Sequence, residues 1–165
     1  MLSFIQNSMN PLSFRKANES DCDLYFQWVN DPLVREHSFN SNYIEKTQHT
    51  KWFLEKLKDK NFHFYIFQNQ INQNIGQVRI QKIDNLNAII GVSVDLLHRG
   101  HGYSSKMLNL ASSDFFLTMP DLIINAYIKE VNLTSKIIFE KAGFEFKGLV
   151  EYKNFKSYKY IKNED

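Results

Sequence analysis

The chain has 165 residues and a formal net charge of +2, and 43% of its residues are hydrophobic against 23% charged. This length supports one domain with a substantial core. The small charge excludes an electrostatic argument for nucleic acid as a partner. No run of 18 apolar residues and no signal-peptide pattern occur, so we expect no membrane partner and a cytoplasmic protein. The single cysteine, Cys22, excludes an intramolecular disulfide and fits a reducing compartment.

The first half of the chain predicts one strand, two helices and then three strands. Residues 1–11 are expected to form a loose lead-in, and residues 12–18 alternate as a strand does. A helix is predicted over 19–31, where Pro32 ends it, and a second helix over 43–60, with its apolar residues near one face. Three strands follow at 62–68, 75–83 and 88–96, with a polar turn after the first and a hairpin turn at 84–87.

The second half predicts a helix at 102–119, a strand at 122–128, a helix at 132–144 and a hairpin over 146–162. Asn132 is expected to cap the second of these helices and Gly143 to end it. The turn of the hairpin is expected at 153–157. The order of elements predicts a mixed α/β (α+β) fold in a single domain over residues 1–165, with antiparallel strands in its first half.

A glycine-rich segment, HRGHGYSS at residues 98–105, stands between a predicted strand and a predicted helix. We call this segment the glycine loop. Gly100 and Gly102 allow the backbone to approach a ligand closely, and the helix that follows offers unpaired N–H groups at its positive end. The pattern indicates an anion site, although a glycine pair before a helix is equally consistent with an ordinary turn.

The strand, the glycine loop, the next helix and the segment NLTSKIIFEKAGF at 132–144 together resemble the GNAT superfamily of acyl-CoA-dependent N-acetyltransferases. The resemblance covers residues 12–163 in element order, and it departs from the family pattern at Leu97, where a Gln or Arg is usual. It implies a mixed sheet of about seven strands flanked by about four helices, with a splayed strand pair that holds acyl-CoA. It implies acetyl-CoA as co-substrate and no metal, in agreement with the lack of a metal-ligand spacing among the histidines.

The resemblance also implies the residues that bind the cofactor. The strand edge around Ser93 is expected to pair with the pantetheine amides, and the backbone amide around Ser93 and Val94 is expected to polarise the thioester. Contacts are assigned to Val92, Val94, Arg99, Gly100, His101, Gly102, Tyr103, Ser104, Ser105, Asn132 and Phe139. Phe139 stands where the family often has a tyrosine that protonates the thiolate, and a phenyl ring cannot donate a proton. Tyr127, Tyr103 and solvent are the alternatives.

A second resemblance concerns residues 26–53, which are similar to the substrate segment of acetyltransferases that act on nucleotide-linked amino sugars, above all those of the pseudaminic-acid pathway. It implies a role in surface-glycan or nonulosonic acid biosynthesis. The substrate-binding residues predicted here are Trp28, Asn30, Asp31, Arg35, Ser38 and His49, with Arg79 from a strand. The Trp-x-Asn-Asp-Pro part also resembles relatives that acetylate ribosomal-protein N-termini. Arg35 and Arg79 are equally consistent with ordinary surface arginines.

The chemistry of the acceptor makes His49 the first candidate for a general base. A sugar amine with a pKa of about 8, against about 10.4 for lysine, costs only about 1–2 kcal/mol to deprotonate near neutral pH. A histidine titrates in that range. Two other functions stay open: a ribosomal-protein N-terminal or polyamine acetyltransferase, and a non-catalytic acyl-CoA-binding module, which Phe139 favours. A homodimer is one option for the assembly, which the sequence leaves open.

Overall fold

A seven-stranded mixed sheet forms the centre of the computed structural model, which describes residues 11–164. The predicted lead-in falls mostly outside these residues. The strands are β1 (Ser13–Lys16), β2 (Phe62–Gln68), β3 (Asn74–Lys82), β4 (Asn87–Val94), β5 (Ile123–Lys129), β6 (Glu145–Tyr152) and β7 (Phe155–Lys162). The helices are α1 (Cys22–Val29), α2 (Pro32–His37), α3 (Lys46–Leu57), α4 (Tyr103–Thr118) and α5 (Leu133–Lys141), with short 3-10 turns at Glu19–Asp21 and Leu96–His98.

The strands lie in the order β1-β2-β3-β4-β5-β7-β6, and every neighbouring pair is antiparallel except β4 and β5. These two parallel strands pair over only three positions, of which Ile89↔Asn125 is the last. Beyond it they part and leave a gap between residues 90–94 and 126–129, which we call the strand cleft. The predicted splayed strand pair is confirmed, and so is the α/β fold.

Two hydrophobic cores cover the two faces of the sheet. On one face α4 and α5 pack on alternate strand residues, among them Tyr65, Val78, Ile90 and Ala126. On the other face α1 and α3 form a smaller aromatic core with β2, built from Tyr25, Trp28, Phe53, Phe64 and Ile66. That smaller core leaves Gly91, Ser93 and Tyr127, farther along the same face, only half-buried. The face therefore has room for a ligand beside the strand cleft.

The predicted end of the first helix is wrong, and five helices occur among residues 11–164 where about four were expected. Helix α1 ends at Val29, and Pro32 begins α2 instead of closing a helix. Proline suits the first helical position because its missing N–H would have no partner there. Asp31 caps α2, since its side chain accepts from the N–H groups of Leu33 and Val34 at 3.0 and 3.2 Å.

The predicted hairpin turn at 153–157 is also wrong. The turn contains only Lys153 and Asn154, whose φ angles are 47° and 69°, and β7 begins at Phe155. A two-residue hairpin turn of type I′ requires positive φ at both positions, which asparagine tolerates. The predicted cap of α5 is confirmed, because the side chain of Asn132 accepts from the N–H of Ser135 at 3.2 Å. None of the helices within residues 11–164 is long and apolar enough to cross a lipid bilayer.

Candidate active site

The glycine loop presents free backbone donors at the start of α4. Gly100 and Gly102 have φ angles of 80° and 74°, a region that side-chain-bearing residues rarely adopt, and Gly102 is the N-cap of α4. Within residues 11–164, the N–H groups of Gly100, His101 and Gly102 donate to no protein acceptor. The first N–H groups of a helix also lack intrahelical acceptors. The loop therefore has the donors and the dipole that an anion requires.

The edge of β4 adds further donors along the strand cleft. The N–H of Asp95 donates to the carbonyl of Ile75, at 2.8 Å, on the β3 side. Successive residues of a strand point their backbone groups to alternate sides, so the N–H groups of Val94 and Val92 point toward the cleft. Ser93 lies between them, and its hydroxyl accepts from the side-chain amide of Gln77 at 2.9 Å. A thioester carbonyl in the cleft could accept from the Val94 N–H.

Arg99 of the glycine loop is held by α2. Its Nη2 lies 2.8 Å from the carboxylate of Asp31, and its Nε donates to the carbonyl of Val94 at 3.0 Å. Burial alone would raise the pKa of Asp31. The hydrogen bond and charge of Arg99 and the two capped N–H groups of α2 outweigh burial, so the pKa lies below 3.8. One carboxylate thus caps α2 and positions Arg99 beside the glycine loop.

The other polar residues predicted in the 26–53 segment have protein partners. The indole N–H of Trp28 donates to Asp95 at 2.9 Å, and Asn30 exchanges two hydrogen bonds of 2.9 Å with the backbone of Ile44. The guanidinium of Arg35 donates to the carbonyls of residues 29, 40 and 42 and to the hydroxyl of Ser38. These side chains shape the segment, and their direct contact with a substrate stays a prediction.

A cavity of about 500 Å³ opens beside this segment. Its lining residues are Val29, Arg35, Asn40, Asn42, Tyr43, Ile44, Gln48, His49, Trp52 and Arg79. We call it the arginine cavity, because two arginines and no carboxylates line it. Arg79 is exposed and has no hydrogen-bond acceptor or ion-pair partner within residues 11–164, and its guanidinium lies 5.6 Å from the centre of the Trp52 ring. An unpaired arginine in a cavity favours an anionic ligand.

His49 lies at the wall of this cavity among aromatic rings. It is only 3% exposed, and the rings of Phe26, Phe53 and Trp52 lie 5.5–6.0 Å from its own. Its Nε2 lies 3.3 Å from the carbonyl of Cys22; since a carbonyl only accepts, this nitrogen carries the proton and Nδ1 is the free acceptor. Burial lowers the pKa of His49 below 6.5. Burial therefore favours the neutral imidazole, which is the form that a general base requires.

Comparison with known proteins identifies the domain. A model of the acetyltransferase (GNAT) domain family matches residues 12–145. The chain belongs to the GNAT acetyltransferase family. The probable N-acetyltransferase YjcK of Bacillus subtilis (strain 168) is 32% identical over 108 residues, which are 63% of this chain and only 59% of that relative's length.

Solved GNAT structures share the fold at low sequence identity. The spermidine N-acetyltransferase of Vibrio cholerae, solved with CoA and spermine, has a TM-score of 0.83 at 17% identity, and covers 93% of this chain and 95% of its own. The aminoglycoside acetyltransferase AAC(6')-Ib, solved with coenzyme A and kanamycin, has a TM-score of 0.80 at 18% identity over the same shares. These likenesses confirm the GNAT fold predicted from the sequence.

The tyrosines predicted to protonate a thiolate in this GNAT domain have different surroundings. The ring of Tyr127 stacks on that of Tyr152 at 4.0 Å, on the face of the sheet that carries Gly91 and Ser93. Tyr103 is 8% exposed at the start of α4. Phe139 lies in the larger core with its ring 5.0 Å from that of Phe144, away from the arginine cavity. Tyr127 is thus the more accessible candidate for the proton donor.

Sequence patterns single out neither Gln77 nor Tyr152, although both belong to this face of the GNAT domain. Gln77 shares a strand face with Arg79, so the two-residue alternation of β3 was a usable signal. Tyr152 belongs to the site through its ring contact with Tyr127, and burial raises the pKa of its hydroxyl while the positive charge of Arg79 opposes that rise. No signal near Tyr152 in the chain indicates its role. It lies in β6, which is separated from β5 in the sheet by β7. Within residues 11–164, no three His, Cys, Asp or Glu side chains come together as metal ligands would.

Proposed function

We propose that this GNAT domain transfers the acetyl group of acetyl-CoA directly to the primary amine of a nucleotide-linked amino sugar. The observation that carries the proposal is the charge of the arginine cavity, which has two arginines and no carboxylate in its lining. The guanidinium of Arg35 is occupied by protein acceptors, whereas that of Arg79, which has no acceptor within residues 11–164, suits the diphosphate of a nucleotide. Trp52 and the exposed Tyr43 offer rings on which a base could stack.

The positive charge of the arginine cavity disfavours polycationic acceptors, such as those bound in solved structures of the same fold. Spermine and kanamycin occupy the neighbouring solved structures. At about 4 Å, one contact between like charges costs from about 1 kcal/mol in bulk water to about 4 kcal/mol at an effective dielectric constant near 20, and the exposure of Arg79 places its cost between these limits. A polyamine would meet that cost at Arg79 with no lining carboxylate to offset it, whereas a diphosphate would gain the corresponding attraction. The alternative of a polyamine acetyltransferase is therefore the weaker one.

The cofactor half of the proposal rests on the glycine loop and the edge of β4. The free N–H groups of Gly100, His101 and Gly102 suit the diphosphate of CoA. The amides of β4 that face the strand cleft suit the pantetheine arm, and the Val94 N–H suits the oxyanion that forms at the thioester carbon. The donors of β4 are already oriented by the strand, so little reorganisation is needed there during the reaction.

The acyl transfer then follows from the neutral form of the amine. The amine nitrogen attacks the thioester carbon, a C–N bond forms, and the C–S bond breaks when the tetrahedral intermediate collapses. The amine loses one proton, for which Nδ1 of His49 is the proposed acceptor, and the CoA thiolate gains one from Tyr127 or from water. Burial lowers the pKa of His49 and so favours the neutral imidazole, which is the form that can accept this proton.

An acceptor panel tests the proposal. The purified protein is incubated with acetyl-CoA and, in turn, UDP-linked 4-amino sugars, spermidine, kanamycin and N-terminal peptides, and CoA release is measured. We expect the highest kcat/KM for a UDP-amino sugar and inhibition by UDP that is competitive with the acceptor. Arg79→Gln should raise the acceptor KM, whereas Lys82→Gln, which removes the same charge farther along β3, should not.

Two results would contradict the proposal. Preference for spermidine or kanamycin would show that the arginine cavity does not select an anion. Acetyl-CoA binding without transfer to any amine would favour the non-catalytic module instead. In either case the Arg79→Gln variant would lose its expected effect on the acceptor KM.

A further inference from the structure

Gly91 stands at the point where β4 and β5 part, beside unfilled space. A Cβ added to Gly91 would meet no atom within 4 Å, apart from its chain neighbours. Its φ lies outside the positive range, so the φ angle does not require glycine there. Glycine weakens the interior of a strand because it gains no side-chain contacts. Neither the backbone nor the packing explains why this position carries no side chain.

The sheet register places this space between the two parts of the site. Gly91 pairs with Arg79 of β3, so both residues face the same side of the sheet. Ile89 pairs with Asn125, and two residues farther along each strand lie Gly91 and Tyr127, which therefore share that face. Arg79 lines the arginine cavity, and the strand cleft begins directly after Ile89. The open space over Gly91 thus lies between Arg79 of the cavity and the start of the cleft.

We propose that Gly91 is a specificity-determining residue that keeps open the passage through which the acceptor amine reaches the thioester. The inference rests on the proposed acyl transfer, but it does not depend on which amine is the substrate. An attacking nitrogen must come within about 3–3.5 Å of the thioester carbon in the correct orientation. A side chain at residue 91 would occupy the route on the acceptor side, while the amides of Val92 and Val94 would still point into the strand cleft.

A size series at this position tests the inference. Gly91→Ala and Gly91→Val add one and three carbons, and Ile89→Val, on the same face but inside the paired part of β4, is the control. For each variant we would measure the melting temperature, the Kd of acetyl-CoA and kcat/KM for the best amine of the panel. Hydroxylamine serves as a second, much smaller acceptor.

The expected signature combines an intact fold with a size-graded loss of transfer. Melting temperatures should equal or exceed that of the wild type, and the acetyl-CoA Kd should stay within about twofold, because the N–H groups of Val92 and Val94 keep their direction into the strand cleft. Transfer to the large amine should fall about 10-fold in Gly91→Ala and at least about 100-fold in Gly91→Val, since small misplacements of the reacting atoms have effects of this size. Transfer to hydroxylamine should fall less, and Ile89→Val should behave as the wild type.

The outcomes separate this inference from the proposed function. If the wild type prefers spermidine, the proposed substrate class fails, and the Gly91 series is judged on spermidine instead. A wild-type kcat/KM in Gly91→Val would refute the proposed role of Gly91. Equal losses for the large amine and hydroxylamine would refute it as well, and so would weaker binding of acetyl-CoA. A wild type that acetylates no amine would overturn both proposals.

Discussion

Asp31 joins α2 to the glycine loop, and two substitutions separate its two contributions to stability. Asp31→Asn removes the negative charge opposite Arg99 but keeps a side-chain oxygen that can cap α2, because asparagine is as good an N-cap as aspartate. Asp31→Ala removes both. The 2.8 Å ion pair has side chains that are only 15% and 25% exposed, so solvent screens it less than a surface pair.

The magnitudes follow from these contacts. A hydrogen bond to a charged group contributes about 1.5–3 kcal/mol, and partial exposure places the Arg99 pair at the lower end, so Asp31→Asn should lose about 1–2 kcal/mol of unfolding free energy. Loss of an N-cap costs a further 0.5–2 kcal/mol or so, and Asp31→Ala should therefore lose about 2–3 kcal/mol. Urea denaturation followed by circular dichroism at pH 7 measures both values.

The pH dependence gives an independent check with a defined sign. The pKa of Asp31 is lower in the folded protein than its ordinary value of 3.8. The stability that the carboxylate contributes is thus fully present above that value and is lost as the pH falls below it, through the folded pKa. Asp31→Asn should lack this part of the acid-dependent loss. Equal stability of Asp31→Asn and the wild type at pH 7, or no coupling with Arg99→Gln in a double-mutant cycle, would refute the reasoning.

Three further predictions concern the site. Gly102→Val should weaken acetyl-CoA binding severely, as measured by calorimetry. The control Gly143→Val imposes similar strain, at a φ of 78°, and should leave the Kd unchanged. Equal Kd values for the two variants would mean that the glycine loop is only a turn. His49→Ala should lower kcat by about 10²-fold or more, with the loss shrinking as pH rises above the amine pKa; a raised KM with unchanged kcat would instead indicate a binding role. Tyr127→Phe should lower kcat if the Tyr127 hydroxyl protonates the thiolate, while Phe139→Tyr should be tolerated. An unchanged kcat in Tyr127→Phe would mean that Tyr103 or solvent supplies the proton.

The strands and the glycine loop could be predicted because their signals are local. The alternation in 75–83 and the apolar run in 88–96 correspond to β3 and β4 within one or two residues at each end. The glycine loop was recognisable because donors, glycines and the start of a helix follow one another in the chain. The helix at 32–37 was missed for a local reason as well, since proline both ends one helix and begins another.

The sequence by itself determined the fold family, the order of the strands and the position of the glycine loop, because these depend on neighbours along the chain. Only the tertiary structure decided which polar side chains are free. Asp31 and Arg35 resemble substrate ligands in the sequence, yet the fold brings Arg99 to the first and backbone carbonyls to the second. Arg79 was indistinguishable from an ordinary strand arginine until the sheet set it beside Gly91 and the cavity wall. The partner of Asp31 comes from a distant part of the chain, and the pairing of β3 with β4 sets Arg79 beside Gly91, so neighbours in sequence indicate neither contact.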